Sequence, residues 1–147
     1  MVDNLIDAME EAIVALKNKS LRKVTLLHHN DTDGLSSGTI LLNTFQQIGY
    51  GVSRFSLEKP YPQVLEKILK EKGQIIIFAD FAGKIAPLIS AINNGNNLVI
   101  ILDHHPAEKV DDESVFNLDG ELYGLKGDRD ISASTTCYLF AEDIIRR

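Results

Sequence analysis

Cysteine is almost missing from this chain of 147 residues: Cys137 stands alone. No internal disulfide can form, so a reducing, cytoplasmic setting is expected. Long apolar runs are missing as well. None approaches the roughly 18 residues a membrane span needs. No signal-peptide pattern opens the chain either, since Met1-Val-Asp-Asn leads into an amphipathic segment; no membrane partner is expected. Internal repeats and low-complexity tracts are absent. Positive charge is in deficit, with a formal net charge of −6. That balance argues against a general polyanion-binding surface, although divalent cations held in a cluster of aspartates would offset part of it. Lys17, Lys19, Arg22 and Lys23 are close together and read as a solvated helix end and turn.

What is present fits one globular domain, with 44% apolar and 24% charged residues. Leu5, Ile6, Met9, Ile13 and Leu16 recur at helical spacing, predicting a helix over 3–18. Val24 to His28 reads as a strand, Leu35 to Ile48 as a helix, and Gly51 to Ser56 as a short strand. Pro60 and Pro62 mark the start of a helix running toward Gly73. "QIIIFAD" and "LVIILDHH" are continuously apolar, as strands buried on both faces are. Between them, Lys84 to Ile92 reads as a helix that stops at "NNGNN". Residues 106–130 read as a long surface loop with a possible short strand at Ser114 to Asn117, and Ile131 to Arg147 as a helix. Strands alternating with helices predict an α/β domain: a mainly parallel sheet of about five strands with helices on both faces. The last helix reaches Arg147 without a glycine, asparagine or proline stop. The expectation is that the chain is the front part of a longer protein.

Three apolar strands end in ionisable residues: "VTLLHHNDTDG", "IIIFAD" and "LVIILDHH". All four histidines, His28, His29, His104 and His105, fall there. Ligands of open α/β sheets bind beyond the carboxyl ends of the strands, so these ends are expected to converge. Alternation along an extended segment puts His29, Asp31 and Asp33 on one side and His28 and Asn30 on the other. Gly34 lets the chain turn sharply into the next helix. In Asp103-His104-His105, alternation turns His104 away from its neighbours, so the triplet cannot all serve one ion. Imidazole with several carboxylates, Asp80 among them, suits Mn²⁺, with Mg²⁺ or Zn²⁺ as alternatives. Unneutralised, such carboxylates repel one another. Two cations bridged by a carboxylate remove that problem and can activate water against a phosphate.

Each motif has a plainer reading beside the functional one. "HHNDTDG" could be a strand end and helix cap, Asp80 a loop aspartate, and "DHHP" a turn. Their co-occurrence after three apolar strands is what favours a site. Asp119, Asp128 and Asp130 read as loop or cap residues, and Cys137 as core.

The ordered motifs His29-Asn30-Asp31-Thr32-Asp33-Gly34, Asp80 and Asp103-His104-His105 resemble those of the DHH phosphoesterase superfamily. "FNLDGE…RDISASTTCYLFAED" is similar to the asparagine-containing loop and helix of its RecJ-like members. The resemblance implies a DHH catalytic domain over 1–147, holding two divalent ions. His29, Asp31 and Asp80 would hold one ion; Asp33, Asp80 and His104 would hold the other, with Asp80 bridging. His105 would contact the scissile phosphate or move a proton, and Asp103 would orient the histidines. The superfamily's later metal-ligating aspartate and its substrate-gripping domain have no counterpart up to Arg147, so the domain is expected to be truncated before them. "SASTT" also lacks the glycines usual in RecJ-like relatives.

The function implied is metal-dependent hydrolysis of phosphodiesters, foremost by a RecJ-like exonuclease on single-stranded DNA or RNA. Gly34 after the second aspartate favours that branch over the pyrophosphatases. Oligoribonucleotides, cyclic dinucleotides or pyrophosphate are the alternative substrates. Two non-enzymatic readings remain: a catalytically silent replication or repair scaffold, and a receiver-like metal-binding module. The latter leaves both histidine pairs unexplained.

Overall fold

A computed structural model describes residues 4–147. The expected helix start at residue 3 and the opening Met1-Val-Asp lie outside them. The chain runs α1 (Leu5–Lys17), β1 (Lys23–His29), α2 (Thr32–Gln47), β2 (Gly51–Leu57), α3 (Pro62–Leu69), β3 (Ile75–Ala79), α4 (Ala86–Asn93), β4 (Leu98–Asp103), β5 (Val115–Asp119) and α5 (Ala133–Arg146). Local chemistry sets the ends. Asn4 caps α1 by accepting from the Asp7 amide, and Asp31 caps α2 by accepting from Gly34. Pro62 opens α3, and Asn94 closes α4 in the left-handed region at φ 47°.

The five strands form one parallel sheet in the order β2-β1-β3-β4-β5, so the expected α/β class holds. Alternate strand residues feed two apolar layers. Leu26, Ile77, Ile100 and Leu118 pack with α1, α2 and α5 through Met9, Ile13, Phe45 and Phe140. Leu27, Phe78, Ile101 and Val115 pack with α3 and α4 through Leu65, Leu69 and Ile89. Every residue of β3 and β4 is buried, as continuous apolar runs require. Among the described residues no helix is long and apolar enough to cross a membrane.

The structure departs from the sequence reading in the loops. Within 106–130, β5 is a full strand that reaches Asp119 and pairs with β4 in the register Asp103↔Asp119. Helix α2 starts at Thr32 rather than Leu35, because Asp31 supplies the cap. Helix α3 stops at Leu69, short of Gly73. Lys23 opens β1, so the Lys17–Lys23 basic cluster lies at the amino end of that strand, opposite the carboxyl end that carries the histidines.

Candidate metal centre

The strand order reverses between β1 and β3, and the crevice at such a switch point is where open α/β sheets bind ligands. His28 and His29 end β1, and Asp80 follows β3. Asp80 is 1% exposed and sits at φ 67°, a left-handed conformation unusual for a residue with a side chain. Ala82 is also left-handed, at φ 85°. Two such residues in one short turn are strain of the kind that collects at functional sites.

Asp80 stands between two groups. On one side, His29 Nδ1 lies 3.4 Å from Asp80 Oδ2 and 2.9 Å from Asp31 Oδ2. On the other, His104 Nε2 lies 3.2 Å from Asp80 Oδ1 and 3.3 Å from Asp33 Oδ2. Despite these short approaches, both Asp80 oxygens and His29 Nδ1 are buried without a properly aligned hydrogen bond. Buried polar atoms left so are rare and costly. Lone pairs that converge on a point instead of on each other fit a cation, and ligand atoms of His29, Asp31 and Asp80 all lie within 4.8 Å of one another. On that test the residues present fit a divalent ion.

Backbone contacts aim the remaining groups. Asp33 is gripped by the start of α5: the Ala133 amide donates to Oδ2 at 3.0 Å, and the Ser134 amide donates to Oδ1 at 2.9 Å, with the Ser134 hydroxyl on the same oxygen. His104 Nδ1 donates to the Gly127 carbonyl at 2.9 Å, leaving Nε2 for the site. Beside the Asp80 carboxylate, and against burial, the His104 imidazole is pushed up to about 9. A cation held there would have to displace that proton. Burial raises the Asp80 carboxyl, which the His104 contact only partly offsets. Asp103 Oδ1 lies 2.7 Å from His105 Nδ1, and the Gly83 amide donates to Asp103 Oδ2 at 3.0 Å. Burial opposes ionisation of Asp103, but His105 and the backbone amides outweigh it and hold the carboxyl below its ordinary value. The Asp103 carboxylate in turn raises His105.

His29, Asp31, Asp33, Asp80 and His104 are therefore brought together, with Asp103 and His105 adjoining. Three details correct the sequence reading. Asp33 arrives on the first turn of α2, not along an extended strand. Gly34 is helical, and its need is close approach: a Cβ there would stand 2.0 Å from the His29 carbonyl oxygen. Finally, β4 ends at Asp103, so alternation does not reach the histidines. Their rings lie 4.3 Å apart, and ligand atoms of Asp80, Asp103, His104 and His105 fall within 4.8 Å of one another. The triplet is thus not split between two faces.

Asp119, read as a loop or cap residue, does cap a 3-10 turn by accepting from the Glu121 amide at 2.9 Å. It is also fully buried beside Asp103, with Oδ2 unpartnered, and burial pushes its carboxyl up to about 7. Cys137 is buried, as expected of a core thiol.

The model of the DHH family, N-terminal domain, matches residues 23–145. The chain belongs to the DHH family. It is 35% identical over 145 residues to the uncharacterized protein MJ0831 of Methanocaldococcus jannaschii, covering 92% of this chain and 33% of that one. Among solved structures, exonuclease RecJ bound to manganese matches with a TM-score of 0.74 and 20% identity, over 95% of this chain and 38% of that one. RecJ in complex with Mn²⁺ from Thermus thermophilus matches at 0.67 and 18%, over 97% and 21%. CDC45 from Entamoeba histolytica matches at 0.67 and 20%, over 97% and 30%. These structural matches show the DHH fold. The chain spans about a third of the length of the curated relative it matches.

Proposed function

We propose that this DHH domain hydrolyses phosphodiester bonds with two divalent ions, Mn²⁺ foremost and Mg²⁺ as the alternative, as part of a RecJ-like exonuclease acting on single-stranded DNA or RNA. One observation carries the reading: Asp80, buried, strained and unpartnered at both oxygens, stands between His29 with Asp31 on one side and Asp33 with His104 on the other. In that reading His29, Asp31 and Asp80 hold one ion, and Asp33, Asp80 and His104 hold the second. Bound there, such ions supply Lewis-acid polarisation of a phosphate and a water made nucleophilic at neutral pH.

The chain's own residues do the remaining work. Gly127 fixes the His104 ring through Nδ1, and the start of α5 fixes the Asp33 carboxylate, so neither has to reorganise on binding. Asp103 holds the half-exposed His105 by Nδ1, which leaves Nε2 to contact a phosphate oxygen or move a proton. The manganese named with both RecJ structures and the carboxylate-imidazole donor set support the choice of ion.

The test is a cleavage panel on the full-length protein with Mn²⁺: labelled single-stranded DNA and RNA, cyclic dinucleotides and pyrophosphate. Cleavage of single-stranded oligonucleotides is expected. Asp80→Ala should lower the rate by at least about a hundredfold, since metal stabilisation is worth several kcal/mol of barrier. Near-normal cleavage by Asp80→Ala would refute the bridging role. Hydrolysis of pyrophosphate alone would refute the nuclease.

A further inference from the structure

Arg54 belongs to none of the motifs. It lies on β2, at the outer edge of the sheet, in register with Leu26 of β1, two residues before His28. Residues two apart on a strand share a face, so Arg54 lies on the face that carries His28. Arg54 Nε donates to His28 Nε2 at 2.9 Å. His28 is fully buried, and its Nδ1 donates to the backbone carbonyl of His29 at 2.7 Å. A guanidinium can only donate and a carbonyl can only accept. The two bonds together admit a single state of the ring: neutral, with its proton on Nδ1. Helix α2 closes off the other side. A Cβ at Gly38 would stand 2.4 Å from His28 Cδ2 and 2.7 Å from Nε2, so glycine is what lets the ring approach the helix this closely.

The carbonyl at the end of this relay belongs to His29, whose side chain enters the candidate centre. The same carbonyl is the one against which Gly34 packs at the start of α2, between Asp31 and the helix body. We infer that Arg54 is a positioning residue for the metal centre: through His28 it fixes the His29 carbonyl, and with it the approach of the His29 side chain and of the α2 turn bearing Asp31 and Asp33. The inference rests on the proposed two-metal function. Partners one shell out from a metal typically change its affinity by about tenfold to a hundredfold, and an arginine three links from the ion belongs at the lower end of that range.

The experiment has two readouts on the full chain. In metal-free protein, long-range ¹H–¹⁵N spectra assigned with a His28→Gln variant are expected to show His28 protonated at Nδ1. Arg54→Met keeps much of the side-chain stem and removes the donor. It should shift the His28 Nε2 resonance by removing its hydrogen-bond donor, and weaken Mn²⁺ binding by about tenfold. Arg54→Lys keeps a donor and should recover most of both signals. Circular dichroism checks folding, and the tautomer of the unsubstituted protein needs no Arg54 variant at all. His28 protonated at Nε2 in that protein, or Mn²⁺ affinity unchanged in Arg54→Met, overturns this inference alone. Absence of Mn²⁺ binding by the unsubstituted protein overturns the proposed function and this inference with it.

Discussion

Asp119 shows what burial does to one side chain in this protein. Its carboxyl is raised from an ordinary 3.8 to about 7, first by loss of solvent and then by the Asp103 carboxylate nearby, against the Glu121 amide that it accepts from. In the unfolded chain the group ionises near 3.8, while in the folded chain it holds its proton to about 7. The folded state thus binds more protons across that window, and stability falls as pH rises through it, levelling off above. Asp119→Asn keeps an oxygen for the Glu121 amide and removes the charge. In metal-free protein it should raise the melting temperature by roughly 3–6 °C near pH 8 and leave it nearly unchanged near pH 4. Parallel melting curves for parent and variant across that range would contradict the account. Asp119 was not legible as a buried acid, because its burial depends on a strand that a glycine-rich, polar stretch conceals. Asp80 was legible, since five consecutive apolar residues, Ile75 to Ala79, lead straight to it. Alternation gives His28 only a direction. Its bond to Arg54 depends on strand register, which spacing alone does not show.

Among the elements, α5 links the end of the chain to the site. Ser132 caps it, its hydroxyl accepting from the Thr135 amide at 3.0 Å, and the next two amides hold Asp33. The small residues of "SASTT" allow this close approach, with no glycine in the run. Ser132→Ala should cost about 1 kcal/mol of stability, as loss of a helix cap does. A thermal melt would show it as a drop of roughly 2–4 °C, and an unchanged melt would mean that the Asp33 grip does not depend on the cap. Strands β3 and β4 were readable because two-sided burial leaves an unbroken apolar run. Strand β5 was less so: Val115-Phe116-Asn117-Leu118-Asp119 interrupts its apolar residues with polar ones that face inward. The Asn117 amide donates to the Gly83 and Glu108 carbonyls at 2.9 Å, so the polarity that disguises the strand also ties it to its surroundings. The early start of α2 was hidden because Thr32 and Asp33 add no apolar periodicity, although an aspartate three residues before Gly34 is a capping signal.

For the whole molecule, topology explains why one locus collects His29, His104 and His105 together with four aspartates. Parallel strands in the order β2-β1-β3-β4-β5 place the carboxyl ends of β1, β3 and β4 side by side, with two helical layers covering the sheet faces. Residues distant in sequence, 29–33, 80 and 103–105, meet there. The DHH family assignment and the fold shared with RecJ agree with that topology. The central claim is a two-cation pocket bridged by Asp80. Its most direct measurement is a Mn²⁺ titration followed by electron paramagnetic resonance, run on the unsubstituted protein and on Asp80→Asn. The account predicts two ions per chain with the signature of a magnetically coupled pair, and loss of the coupled pair in Asp80→Asn. Uncoupled binding in the unsubstituted protein, or identical binding by the two proteins, would contradict it.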